Sequence, residues 1–141
     1  MTAAERDWLG AAMSAGGGSA LVAGALLPWM SLFAGLQRYP GVAGLNGRLL
    51  LAGGVAGIAT GIVMIARPRR FLRRAIGVLG VALAAFASWV LIGLHETIRT
   101  LAHHPLMLAR PGFGLYVALA GALAMALLIA TPGPTARPVR T

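Results

Sequence analysis

Three consecutive segments decide the fold: LLLAGGVAGIATGIVMIA (residues 49–66), RPRRFLRR (67–74) and AIGVLGVALAAFASWVLIGL (75–94). Two uncharged apolar runs flank an arginine-rich octet. Each run approaches the ~20 residues that an α-helix needs to cross a bilayer. Backbone amides in lipid are satisfied only in helices or closed barrels. Barrel strands alternate over ~10 residues, which these continuous runs do not do. The stretch therefore reads as two antiparallel helices joined by a basic link.

Outward from this pair lie two more uncharged runs, 9–27 and 114–130. The whole chain is 141 residues, 58% hydrophobic and 11% charged, with a mean hydropathy of +0.81. Soluble domains carry about 25% charged residues. The expectation is an all-α polytopic membrane protein: a four-transmembrane-helix bundle forming one membrane domain over residues 1–141. A soluble enzyme and a nucleic-acid-binding domain are excluded, and no nucleic acid is expected as partner. The first run is weakened by Gly16, Gly17, Gly18 and Gly24, but Glu5 and Asp7 beside Arg6 do not make a basic leader, so it reads as a retained helix. The proline-rich tail, about 132–141, reads as disordered.

Arginine placement sets the expected orientation. All twelve basic residues are arginine. Arg67, Arg69, Arg70, Arg73 and Arg74 fill the central link, and an even number of spans puts Arg6, Arg137 and Arg140 on the same side. The other side has Arg38, Arg48, Arg99 and Arg110. Short basic loops stay in the cytoplasm. The link and both termini are thus expected inside the cell membrane, with loops 28–48 and 95–113 outside. Each arginine of the link near an anionic leaflet contributes ~1 kcal/mol. These five are the candidate anionic-lipid contacts, unless they serve only to fix topology.

Small residues recur every fourth position: Gly16, Ala20 and Gly24; Gly53, Gly57 and Gly61; Gly80, Ala84 and Ser88; Gly114 to Ala130 in steps of four. Such stripes let helix backbones approach closely. Gly53, Gly57, Gly61, Gly16, Gly24, Gly80 and Ala84 are the candidate packing residues. The double GxxxG of the second run serves either packing within one chain or a homodimer face. Ser14, Ser19, Thr60 and Ser88 are expected to bond back to their own helices.

A faint repeat appears in PGVAGLNGRLLLAGGVAG from Pro40 and PGFGLYVALAGALA from Pro111. The pattern of PW, PG, GLNGRLL, a basic link and a late PGFGLY resembles the small alanine- and glycine-rich four-span membrane proteins of actinobacteria. The resemblance implies membrane residence and carries over no functional residue.

The loops hold what chemistry there is. Residues 28–47 are apolar, with Trp29, Met30, Leu32, Phe33 and Leu36, so they are expected to lie in the interface or fold over the bundle mouth. A partner-docking surface is the sharper alternative. Asn46 is expected to cap the second helix. Trp8, Trp29, Trp89 and Tyr116 read as interface anchors. Residues Leu94, Ile98, Leu101, Pro105 and Leu108 suggest an amphipathic extension of the third helix. Glu96 should pair with Arg38, Arg48 or Arg99. His95, His103 and His104, with Met107, are the only candidate metal ligands, but two are adjacent and the third is eight residues away, so no metal and no cofactor are expected.

No nucleophile–base pair is visible, and cysteine is absent, so the chain does not read as an enzyme. Ion-coupled carriers place an ionisable residue in a span, and none occurs here. The function expected is a structural or accessory one, with self-assembly or a larger membrane complex as partner. The alternative is a small passive channel or transporter without an intramembrane coupling residue.

Overall fold

The computed structural model describes residues 2–67, 69–101 and 110–130. Helix α1 spans Ala3–Leu26. Its start is a capping box: the Thr2 hydroxyl accepts from the Glu5 amide while the Glu5 carboxylate accepts from the Thr2 amide. It stops two residues before Pro28, which cannot continue a helix. Helix α2 is Leu45–Ala66 and α3 is Arg70–Leu101. α2 starts at Gly44 without a side-chain cap. Asn46 is therefore inside the first turn and not the cap expected of it. α2 ends before Arg67, whose conformation is restricted by the proline that follows it.

The arginine octet is not a loop. Arg70, Arg73 and Arg74 belong to the first turns of α3, which leaves 67–69 as the link. α3 also runs past the expected 75–94 to Leu101, taking up the predicted extension as far as that residue. Pro105 and Leu108 lie outside the described residues, as does the tail.

α1, α2 and α3 are long and apolar enough to cross a membrane. The fourth run is shorter. Helix α4 covers Gly114–Ala126 and tightens into a 3₁₀ turn, Leu127–Ile129. At 1.5 Å per residue this reaches about 24 Å, less than the ~30 Å hydrocarbon core. Its N-terminal boundary is set by the strand and glycine that precede it.

The apolar segment after α1 is folded, not loose. Strand β1, Pro28–Leu32, pairs antiparallel with β2, Gln37–Pro40, and with β3, Arg110–Pro111, giving the order β2–β1–β3 among the described residues. The hairpin turn passes through a 3₁₀ turn, Phe33–Gly35, in which both Phe33 and Gly35 have positive φ, at 54° and 99°. The β1–β2 register pairs Pro28 with Pro40 and Met30 with Tyr39, so Trp29 is the extra residue of a bulge. A bulge re-aims a side chain, and here it turns Trp29 into the bundle.

Neighbouring helices are antiparallel, as their close approaches show. Gly18 meets Gly54 and Ile58, while further back in α1 Ala15 meets Gly61. Gly17 meets Gly121, while Gly24 meets Ala118. Gly77 of α3 meets Ile129, and Gly80 meets Ala126. α1 packs between α2 and α4, and α3 packs more extensively on α4 than on α2 despite its short link to α2. The interior is filled by Leu21, Leu50, Leu115, Met125 and Leu128 among glycines and alanines. Large apolar side chains point outward on every helix, including Trp8, Leu26, Val55, Ile62, Ile65, Val78, Trp89, Ile92, Leu123 and Leu127.

Candidate functional site

The candidate packing residues mostly converge inside one chain. Gly53 faces Leu83, Gly57 faces Met125 and the Cα of Gly18, and Gly61 faces Ala15 and Ala11. The double GxxxG of α2 is thus occupied by α3, α4 and α1 of the same chain. Gly24 and Gly80 abut α4, and Ala84 is buried. Gly16 differs: it is exposed, and a methyl group there would meet nothing within 4 Å. Its neighbours Gly17 and Gly18 make the approaches instead. Ser14 also departs from expectation. Its hydroxyl crosses to the Gly57 carbonyl at 2.8 Å in a buried setting, whereas Ser19 and Thr60 bond back to Ala15 and Ala56 of their own helices.

At the α2–α3 end, Arg67, Arg69, Arg70 and Arg74 are exposed. Arg73 differs from the other four in being only 5% exposed. It shares the helical stripe of Ile76, Gly77 and Gly80, the buried face of α3. A methyl group on Gly10 would stand 3.4 Å from both Arg73 Cζ and Met64 Cε. One charge therefore enters the end of the bundle, its guanidinium close to Gly10 of α1.

The opposite end is organised by Trp29. This residue is not an exposed interface anchor: it is 9% exposed. Its indole N–H donates to the Gly24 carbonyl at 3.0 Å, one of the last-turn carbonyls that α1 cannot satisfy itself. The two Pro-Gly segments of the faint repeat sit on either side of it. Gly41 lies against the indole and donates its N–H to Leu27 at 3.2 Å, and Gly112 donates to the Trp29 carbonyl at 2.8 Å. Each Pro-Gly follows a strand and leads into a helix, β2 to α2 and β3 to α4. Trp8, Trp89 and Tyr116 are exposed, as interface anchors would be.

Beside Trp29 lies a hollow of about 890 Å³ between the last third of α3 and the start of α2. Trp29, Tyr39, Asn46, Trp89, Leu94 and Thr97 are among its walls. The volume is near the upper end of the ~300–1,000 Å³ that small-molecule sites occupy. Among the described residues its walls are apolar and neutral polar side chains, with no arginine, histidine or carboxylate. The sequence pattern could not locate it, because it is made by residues far apart in the chain.

His95 is exposed, with Nδ1 3.0 Å from the Leu91 carbonyl. His103, His104 and Met107 lie outside the described residues, and among those described no metal-holding group occurs. Glu96 has Arg99 as its partner at 4.0 Å, both exposed. Such a pair contributes little. Comparisons with protein-family models, curated proteins and solved structures find no match.

Proposed function

We propose that the chain is an integral cell-membrane protein crossing the bilayer four times, with a structural or accessory role in a membrane assembly. The observation that carries this is the inversion of its surface. Many large apolar side chains face outward around the bundle, while its close helix–helix approaches are made by glycine and alanine around a small set of buried leucines and methionines. In water such a surface would exceed the few hundred Å² of contiguous apolar patch that soluble monomers expose. In lipid it costs nothing, and close backbone packing supplies the cohesion.

α4 takes part as the fourth span. It is wedged between α1 and α3, and bilayers thin to meet short helices at a fraction of a kcal/mol per Å. Arg67, Arg69, Arg70 and Arg74 favour the cytoplasmic side for the α2–α3 link and both termini, where they meet anionic lipid. The close-packed interior supports the structural reading over a passive pore, which would need a wet path.

Because the α2 glycines are used within the chain, self-assembly or capture of a partner falls to the outward faces and to the hollow beside Trp89. Native mass spectrometry of the protein released from membranes in mild detergent tests the role. Oligomers or a stoichiometric partner are expected. A clean monomer that conducts solute in liposomes would overturn it.

A further inference from the structure

The small sheet sets two arginines across one serine. Ser31 of β1 pairs with Arg38 of β2 on one side and Arg110 of β3 on the other. Residues opposite one another in a ladder project from the same face. With strands ~4.8 Å apart, the two arginine backbones are about 10 Å apart, with the serine hydroxyl between them. All three border a hollow of about 320 Å³.

The start of α4 opens into the same hollow through Phe113 and Gly114. This helix has no side-chain cap, so its first amides and its positive dipole end have no side-chain acceptor from the cap position. Among the described residues, neither Arg38 nor Arg110 has an ion pair or side-chain hydrogen bond. Glu96 is taken by Arg99. Glu5 and Asp7, the other acidic side chains, are at the far end of α1. Like charges on one face of a sheet repel, and nothing in the described chain offsets them.

We propose that Arg38, Ser31 and Arg110 form a binding site for a phosphate-bearing anion. Each guanidinium presents a planar fork of N–H donors that matches two phosphate oxygens, and the Ser31 hydroxyl supplies a donor between the forks. Phosphate chemistry fits both a lipid headgroup and a soluble phosphate. Exposed Phe113 lines the same hollow. The site follows from sheet register and is independent of how the bundle is oriented.

The test uses the full chain in neutral detergent. Inorganic phosphate binding is measured by titration calorimetry, and retention of phosphatidylglycerol by native mass spectrometry. R38Q/R110Q is expected to bind phosphate at least about tenfold more weakly, or to lose a retained lipid that the wild type keeps. R99Q, at the same end, is expected to behave as wild type. R38K/R110K, which keeps charge without the fork, should fall between them. Loss in the lipid arm alone identifies a headgroup as the source, and loss in the phosphate arm identifies a soluble anion. Equal binding of both probes by wild type and R38Q/R110Q, or binding of neither by the wild type, overturns the proposal.

Discussion

Gly17 and Gly18 stand where a methyl group has no room, and Gly16 stands in the open. A Cβ on Gly18 would be 2.6 Å from the Gly54 carbonyl oxygen and 2.7 Å from the Ile58 amide nitrogen, both backbone atoms. Gly18→Ala is therefore expected to cost about 1–3 kcal/mol through overpacking. Gly16→Ala should be neutral or slightly stabilising, since alanine is the better helix former by about 1 kcal/mol in water. Denaturant unfolding in detergent checks both, and a Gly16→Ala loss as large as that of Gly18→Ala would contradict the packing. The four-residue spacing of Gly16, Ala20 and Gly24 suggested a single face. α1 sits between two helices and needs two faces, which Gly17 supplies toward α4 and Gly18 toward α2. A periodicity in one chain does not show how many neighbours a helix has.

Glu5 gives a pH handle at the same scale. The Thr2 backbone amide, and then its side chain, hold the Glu5 carboxyl below its ordinary value. A depressed carboxyl stabilises the fold above its unfolded pKa, and that contribution is lost as pH falls through the lower folded value. The α1 start is thus expected to fray in acid. In Thr2→Ala, which keeps the backbone amide and removes only the hydroxyl, the Glu5 titration, followed by NMR, should move up part of the way toward the ordinary carboxylate range. No movement would mean that the Thr2 hydroxyl contributes nothing to the lowering.

Among the elements, the hairpin depends on one bulge. Trp29→Phe keeps most of the apolar volume but leaves the Gly24 carbonyl without its donor, an expected cost of about 1 kcal/mol. Trp29→Ala empties the space among Gly41, Gly114 and α1, an expected cost of about 3–5 kcal/mol. A melting series on the two variants checks the ordering, and equal small losses would contradict a buried tryptophan. The helices were legible in the sequence because each apolar run is long and uncharged. The sheet was not, because β3 joins β1 from some eighty residues away and strands this short carry no alternation. Trp29 resembled an anchor because it stands at the end of an apolar run. Only the register shows that it is the bulged residue. The basic octet misled for a similar reason: its charge suggested a loop, but arginine is a good helix former, and α3 simply begins inside it.

For the molecule as a whole, the inverted surface and the asymmetric arginines belong together. The exposed arginines of 67–74 crowd one end, while the sheet, its two arginines and both hollows occupy the other. Arg73, turned inward, brings α3 against α1 at the arginine-rich end. Arg73→Ala is expected to destabilise the bundle by removing packing as well as charge, and Arg74→Ala, fully at the surface, to stay within about 0.5 kcal/mol of wild type. Equal effects in a detergent unfolding assay would contradict the inward placement.

The central claim is that four helices cross the bilayer with both ends of the chain on one side. The chain has no cysteine, so single-cysteine variants report position without background. Thr2, Leu36, Arg69, Phe113 and Ala130 are exposed at the ends of the helices or in the links between them. Labelling of intact cells with a membrane-impermeant maleimide should modify Leu36→Cys and Phe113→Cys, and should reach Thr2→Cys, Arg69→Cys and Ala130→Cys only after permeabilisation. Labelling of Phe113→Cys and Ala130→Cys from the same side would show that α4 does not cross, and labelling of Thr2→Cys from outside would reverse the orientation.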